Sequence, residues 1–506
     1  MECFSKIPGP EIPLGLITKI EKTGSQNKKE TRFQVNCQDI RTHQFSIALE
    51  QNKKSFLESL QETIFPPIPQ EPFAFTTFNS TALIKTNPPF YSYEAELNRL
   101  ISRVEHSGWR ISKINSNFHL CPSYPSIFSV PVPIQDENLE NASKFRIGNR
   151  FPTLSWIHPT AKSTICRSSQ PRQGPFKRNE EDEQLISAIR LANPKGEKLY
   201  IFDARAKSTV VVPQVKGTAY EDLENYVNVE INFIGLPSLQ SLRESFQKIS
   251  HLCFPNPEEA HWHANVEGTG WIESLKQLIQ TATAIANIVH KRNGSVLIHC
   301  LDGWDRTPQL TSLAMLLLDP YYRTISGFCI LLEKEWIAFG HKFSKRVGGN
   351  DEQRSPVLIQ FLDCVYQLIT QFPCNFEFNS NLLLLIADEI YTGRYGTFLY
   401  DSESARNEKS VHEKTHSLWD EIRSIDLPNS PFINHFYLEG NDGDDEDIVL
   451  EPKLTSNKFH LWNDYFLRWH PSVKKSSIPT ERTKQLRSLL EDLKSKVHDL
   501  EEGIEK

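Results

Sequence analysis

No Cys-x-x-Cys pair occurs among the nine cysteines of this 506-residue chain. An odd number without that spacing suggests neither a disulfide framework nor a zinc site, and it argues against a zinc-finger type of lipid module. Long apolar runs are missing as well. A membrane helix needs roughly 20 such residues, and the stretch from Leu382 to Ala387 is far too short. The first residues, MECFSKIPGPEIP, lack the apolar core of a secretion signal. There is no cationic excess: the net charge is −7, so the chain has no general attraction to nucleic acid or to anionic membranes, and any lipid binding must be local. With 24% charged residues and a mean hydropathy of −0.44, a soluble cytoplasmic protein is expected. A mass of 58.2 kDa has room for one large core or two to three domains.

What the chain does have is concentrated in residues 295–310, Ser-Val-Leu-Ile-His-Cys-Leu-Asp-Gly-Trp-Asp-Arg-Thr-Pro-Gln-Leu. Val296, Leu297 and Ile298 read as a buried strand that stops at Cys300. Arg306 follows six positions later, and Leu310 to Leu318 has the spacing of a helix. Strand, tight loop and helix form an anion cradle, in which loop N–H groups point inward and the helix N-terminus adds partial positive charge. Pro308 suits the first helical turn. A thiol at the strand end and a guanidinium at the helix start then face one trapped phosphate.

Cys-x5-Arg alone is weak evidence, since nine cysteines yield it by chance in about every second chain. Cys166 and Arg172 repeat the spacing within Cys-Arg-Ser-Ser-Gln-Pro-Arg. That copy has no loop glycine, Pro171 removes a donor, and no helical pattern follows promptly. At Cys300 the chemistry is available. An ordinary thiol is only about 3% ionised at neutral pH, and loop amides, Arg306 and the helix end are expected to lower its pKa by about two to three units. Arg306 can fork onto two phosphate oxygens. Thr307 either donates its hydroxyl to the sulfur or caps the helix. Gly303 permits a tight closure. Asp305 is placed to protonate a departing oxygen, with Asp302 as the rival acid; the alternative for Asp305 is to orient the loop amides or Arg306.

The loop resembles the His-Cys-Ser-Asp-Gly-Trp-Asp-Arg-Thr loop of myotubularin-type phosphoinositide phosphatases, with Leu301 in place of the usual Ser. That position contributes chiefly its backbone N–H, so the change is expected to be tolerated. The resemblance continues through WRISKINSNFHLCPSYPSIFSVP (109–131), RFPTLSWIHPTAKSTICRSSQP (150–171), LYIFDARA (199–206) and VKGTAYED (215–222). Downstream it includes LDPYYRTISGFCILLEKEWIAFGHKFSKRVG (318–348), RSPVLIQFLDCVYQL (354–368) and LWNDYFLRWHP (461–471). It implies a metal-independent 3-phosphatase, without cofactor, acting on phosphatidylinositol 3-phosphate and phosphatidylinositol 3,5-bisphosphate at the surface of endosomal membranes. Cys300 is then the nucleophile, Asp305 the acid and Arg306 the phosphate clamp, with Leu301, Asp302, Gly303 and Trp304 around the substrate. Lys342 and Arg346 match basic positions that bind the 5-phosphate, and their spacing puts them on one face if the segment is helical. Lys342 replaces a more usual Arg, a point charge instead of a fork. Lys216 matches a lysine near the substrate phosphates. Pro213 and Ser238 stand where relatives often carry Asn.

Three regions are expected. Residues 1–85 hold strand-like segments, LGLITKIEK, TRFQVNCQD and THQFSIALE, then an amphipathic helix from Lys54 to Phe65 and a Pro-rich stretch. They resemble the later part of a PH-GRAM domain whose first strands have no counterpart here. Residues 86–475 alternate strand runs with helical patterns at 239–252, 272–291 and 308–318. That reads as α/β, a mostly parallel sheet flanked by helices with the loop at a strand's C-terminal end. The acidic run NDGDDED (441–447) reads as a solvated loop. In residues 480–506, Leu486, Leu490, Leu493, Val497, Leu500 and Ile504 mark a seam of about three heptads, either a coiled coil joining homo- or hetero-oligomers with other myotubularins or a helix folded back on the domain. Two rivals to the enzymatic reading are a protein tyrosine or dual-specificity phosphatase and an inactive myotubularin-like scaffold.

Overall fold

The computed structural model describes residues 12–23, 31–38, 41–47, 53–65, 72–77, 91–172, 178–208, 219–254, 260–348, 353–424, 430–438 and 449–468. Lys216, Pro213, the acidic run 441–447 and the heptad segment 480–506 therefore lie outside the described residues.

Strands β1 (Ile17–Lys22), β2 (Thr31–Cys37) and β3 (Thr42–Ile47) form an antiparallel meander, followed by the helix Lys53–Ile64. Alternation of apolar and polar residues leaves Ile17, Phe33 and Val35 on one face, where Leu57 of the helix closes a small separate core. A hairpin of β4 (Trp109–Ser112) and β5 (Phe128–Pro131) then leads into the main sheet.

The main sheet contains β6 (Thr153–Ile157), β7 (Thr164–Ser169), β8 (Leu199–Asp203), β9 (Val229–Phe233) and β10 (Ser295–Cys300), in the order β6-β7-β10-β8-β9. β10 is parallel to both β7 and β8, β9 is parallel to β8, and only β6 runs antiparallel. The expected mostly parallel sheet is thus present, and the strand ending in Cys300 is its centre. Every residue of β10 is buried, as expected for a strand covered on both faces. In the helix Trp271–Lys291, Trp271, Leu275, Leu278, Ile279, Ala282, Ile285, Ala286 and Val289 recur at helical spacing and face the core. The helix Arg306–Leu318 is buried almost all round and packs between that helix, the sheet and the helix Val357–Gln371. Helical patterns expected at 239–252, 272–291 and 308–318 are observed as Leu239–Cys253, Trp271–Lys291 and Arg306–Leu318. The last begins two residues early because Asp305 (φ −112°, ψ −83°) is already its non-helical N-cap.

Polar groups are also buried where the strands end. Arg146 places Nε and Nη2 on the two oxygens of Asp182 (2.8 and 2.6 Å) and Nη1 on Glu221 Oε1 (2.5 Å), all fully enclosed. Asn179 caps the helix Glu180–Leu191 through the Asp182 N–H, which fixes that carboxylate at the helix's first turn. Burial pushes the Glu221 carboxyl up, but His299 and Arg146 outweigh it and hold it below the usual carboxylate range. Its contribution to stability is thus present above pH about 4 and lost as the medium acidifies through its lowered pKa. Arg146→Met would take the cation from the buried Asp182 carboxylate and leave Glu221 with His299 alone. It is expected to lower unfolding free energy in urea by about 3–5 kcal/mol; a loss below about 1 kcal/mol, the surface-pair range, would show that the pair is effectively solvated.

Candidate active site

Cys300 ends the central strand, and residues 301–305 turn into the helix starting at Arg306. The thiol is almost enclosed, with 3% of its surface exposed. The Gly303 N–H and the Thr307 hydroxyl both reach Sγ at 3.3 Å. Thr307 lies inside the helix and its hydroxyl serves the sulfur; the cap position belongs to Asp305. Gly303 has φ +78°, and a Cβ there would lie 2.3 Å from the Ser168 carbonyl oxygen, so no side chain fits.

The loop is held from outside by residues the sequence reading did not single out. The Gly303 carbonyl accepts from Arg150 Nη2 (3.1 Å) and Arg167 Nη2 (2.7 Å), both guanidiniums being fully buried. Arg150 also binds Ser123 and the Phe339 carbonyl. Arg167 pairs with Glu335 Oε2 at 2.8 Å, and that oxygen takes the Thr311 hydroxyl from the helix after the loop at 2.7 Å. Glu335 belongs to a π-helical stretch, Glu333–Ala338, a distortion frequent at functional sites. A sequence signal did exist: an arginine inside an apolar strand, Ile-Cys-Arg-Ser, requires a buried partner.

His299, just before Cys300, is fully buried. Its Nδ1 lies 3.2 Å from the Cys300 carbonyl and its Nε2 3.2 Å from Glu221 Oε2. A carbonyl and an ionised carboxylate only accept, so both ring nitrogens face acceptors, an arrangement that favours the protonated ring. Burial works against that charge, but Glu221 and Asp203 outweigh it and raise the pKa. Glu221 and Ala219, whose carbonyl binds Arg205 at 2.7 Å, anchor the described end of the segment carrying Lys216.

The other expected residues surround the loop. Arg306 is half-buried; its Nη1 lies 3.4 Å from the Leu236 carbonyl, and among the described residues it makes no ion pair. Leu301 is exposed at its side chain, while its carbonyl takes the Gln170 N–H at 3.1 Å. The Trp304 ring carries Lys342 Nζ at 4.7 Å from its centroid and the Arg150 guanidinium at 5.4 Å. Asp302 is partly buried, and burial together with the neighbouring Asp305 raises its carboxyl above the usual range. Ser238 caps the helix Leu239–Cys253 through the Ser241 N–H.

The basic pair departs from the expected arrangement. Lys342 precedes the short helix Phe343–Val347 in a non-helical conformation (φ −83°, ψ 64°), so the two cations do not share one helical face. Lys342 turns to Trp304 and to the Asp401 carbonyl (3.3 Å). Arg346 instead lies on Asp305, Nε to Oδ1 at 2.9 Å and Nη2 to Oδ2 at 2.7 Å. Burial disfavours the Arg346 charge, and the Asp305 carboxylate more than offsets this, raising its pKa. Cys166, the second Cys-x5-Arg cysteine, sits inside β7, where burial pushes its thiol up to about 12. It is inert.

A model of the myotubularin-like phosphatase domain matches residues 71–407. This chain belongs to the myotubularin family. It is 38% identical to myotubularin of Xenopus tropicalis over 502 residues, covering 97% of this chain and 82% of that protein. It is 39% identical to a Gallus gallus protein named phosphatidylinositol-3,5-bisphosphate 3-phosphatase MTMR2 over 507 positions, covering 98% of this chain and 86% of that one. The Bos taurus protein of the same name is 38% identical over 498 residues, 96% of this chain and 76% of its own length. In this chain, Gly303→Ala is expected to displace the loop through both its φ and the Ser168 contact. A shift near 1 Å at reacting atoms costs about 100-fold, so phosphate release should fall by at least that factor. Retained turnover would show that the loop tolerates a side chain.

Proposed function

We propose that this chain is a phosphoinositide 3-phosphatase acting on phosphatidylinositol 3-phosphate and phosphatidylinositol 3,5-bisphosphate through a phosphocysteine. One observation carries the reading: the Cys300 thiol lies in an inward-facing loop that contains its own carboxylate, Asp305, with a second arginine, Arg346, at its rim. Cys300 Sγ attacks phosphorus as the bond to the inositol oxygen breaks, and Asp305 supplies that oxygen with a proton. Arg306 and the loop amides from Leu301 to Arg306 bear the charge on the equatorial oxygens, and Thr307 donates to the sulfur. Water then hydrolyses the thiophosphate, with the Asp305 carboxylate as base. Trp304, Asp302, Lys342 and Arg346 line the headgroup's approach, and Lys216 is placed with them by resemblance. A protein tyrosine phosphatase normally takes its acid from a separate loop, and inactive myotubularin-like scaffolds have lost the Cys or the Arg, so neither rival accounts for this loop.

The β1–β3 unit with its helix is proposed as part of a PH-GRAM-like domain, and residues 480–506 as a coiled coil that joins myotubularin chains. Among the described residues no helix is long and apolar enough to cross a membrane. The proposed site of action is the cytoplasmic face of endosomal membranes, reached from solution.

Phosphate release from a panel of phosphoinositides and phosphopeptides tests class and substrate together. Cys300→Ser is expected to abolish release while lipid binding persists, and Cys166→Ser to leave it intact. Arg306→Lys is expected to be severely impaired through loss of the fork. An active Cys300→Ser enzyme would overturn the assignment.

Selectivity is tested separately. Charge-assisted phosphate contacts are worth about 1.5–3 kcal/mol each. Replacing both Lys342 and Arg346 by Ala should therefore cost the 3,5-bisphosphate more than tenfold beyond the loss on the monophosphate. Parallel losses on the two lipids would place the 5-phosphate elsewhere.

A further inference from the structure

The basic segment beside the Cys300 loop is held by one residue from a later part of the chain. The helix Phe343–Val347 begins after Lys342, whose side chain has no acceptor and cannot cap it. Of the first four N–H groups, that of Phe343 goes to the His341 carbonyl, and those of Lys345 and Arg346 go to the Lys342 carbonyl. The Ser344 N–H goes instead to Asp401 Oδ1 at 2.8 Å, and the Ser344 hydroxyl to Oδ2. Asp401 thus caps the helix from 57 residues away, and the N-cap position is left to carry a cation. The carbonyl of the same residue accepts from Lys342 Nζ at 3.3 Å, beside the Trp304 ring.

Asp401 is itself fixed without help from the Cys300 loop. The buried Arg406 donates to the carbonyls of Gly396 (2.9 Å), Thr397 (2.7 Å) and Leu399 (3.0 Å) in the turn that leads to it. Tyr400, directly before it, has φ +64°, a costly conformation for a bulky residue that persists only where its surroundings enforce it. Phe398 packs on Phe343 with ring centroids 5.3 Å apart. At Gly340 (φ +71°) a Cβ would lie 2.5 Å from the Ser123 carbonyl oxygen and 3.2 Å from that of Asp401, so the two segments meet too closely there for a side chain.

We propose that Asp401 is a positioning residue for headgroup selection: by capping this helix and holding Lys342, it orders both cations at the rim of the loop before a ligand arrives. The inference rests on the reading that Lys342 and Arg346 take the 5-phosphate. Without its cap, the first turn of a five-residue helix frays, and both long side chains must then be ordered by the ligand itself. That ordering is subtracted from the binding energy of the bisphosphate. A monophosphate headgroup has no phosphate for this pair and is spared the loss.

The test is the ratio of kcat/KM for short-chain phosphatidylinositol 3,5-bisphosphate to that for the 3-phosphate, measured on the full chain. Charge and hydrogen bonding at Asp401 act in opposite directions. A carboxylate near a second phosphate repels it, so neutralising the carboxylate alone raises the ratio. Asp401→Asn and Asp401→Ala lose the same charge, but Asn keeps an oxygen for the Ser344 N–H. The ratio for Asp401→Ala is therefore expected about tenfold below that for Asp401→Asn, a factor equal to about 1.4 kcal/mol and within the usual cost of a lost helix cap. The loss should lie in KM for the bisphosphate, whereas a merely structural role would lower kcat on both lipids and leave the ratio alone. Ser344→Ala removes the hydroxyl but keeps the charge and the turn; it should lower the ratio about threefold, as expected for one hydrogen bond. Equal ratios for Asp401→Ala and Asp401→Asn would overturn the inference, as would an unmoved ratio for Ser344→Ala where the Asp401→Ala chain does not fold. Replacing both Lys342 and Arg346 by Ala separates the two readings. An unmoved ratio there would overturn the 5-phosphate site and this inference with it. A lowered ratio there, beside equal Asp401→Ala and Asp401→Asn ratios, would overturn the role of Asp401 alone.

Discussion

Two buried guanidiniums on one carbonyl oxygen give the loop its shape. A trans peptide is planar, so its C=O and N–H point in opposite directions. When Arg150 and Arg167 hold the Gly303 carbonyl, the Trp304 N–H is turned the other way, into the loop. The Gln170 N–H holds the Leu301 carbonyl and turns the Asp302 N–H by the same logic. Amides converging on one point repel one another, so something outside must hold them. Arg167 anchors in turn on Glu335, which also takes the hydroxyl of Thr311. Strand, loop, helix and π-helical stretch are thereby tied through one chain of charged hydrogen bonds. The desolvation of such charges is costly, and here it produces a rigid cradle that needs little reorganisation on binding.

The distribution of committed and uncommitted cations then determines where an anion goes. Arg146 is taken by Asp182 and Glu221, Arg205 by Asp203, and Arg167 by Glu335. Among the described residues Arg306 has a long contact to a carbonyl and no ion pair, so none of them rivals an incoming phosphate for its fork. Arg346 is intermediate, committed to a carboxylate that belongs to the Cys300 loop itself. A ligand that engages Arg346 must therefore compete with Asp305 for its fork.

Much of this was legible in the sequence because it is local. The apolar run ending at Cys300, the glycine three residues on and the helical pattern after Pro308 specify strand, turn and helix within sixteen residues, and the structure has all three. The three N-terminal strands and the helix after them were legible from alternation and amphipathicity, with the helix displaced by one residue from Lys54–Phe65 to Lys53–Ile64. What local pattern cannot show is pairing across long separations. Arg150 meets Gly303 and Arg346 meets Asp305 only once the sheet and the 333–347 segment have folded together. The expectation that Lys342 and Arg346 share a helical face failed for a similar reason: spacing assumed a helix, whereas Lys342 is drawn out of helical geometry beside the Trp304 ring and Asp401.

The two Cys-x5-Arg stretches show how completely position in the sheet controls the chemistry of a thiol. They lie on adjacent parallel strands, and Cys166 is the register partner of Leu297. Cys166 is therefore three residues short of the sheet edge that Cys300 occupies, where Ser169 is the partner. Inside the strand its own backbone amides are used by the neighbouring strands, no helix N-terminus faces it, and burial leaves the neutral thiol as the only tenable form. At the edge the backbone is released from the ladder, and its N–H groups become available to an anion. Catalytic loops of open α/β sheets gather at the carboxyl ends of the strands for this reason. A thiol at the end of the central strand can be a nucleophile, and one with identical spacing three residues earlier cannot.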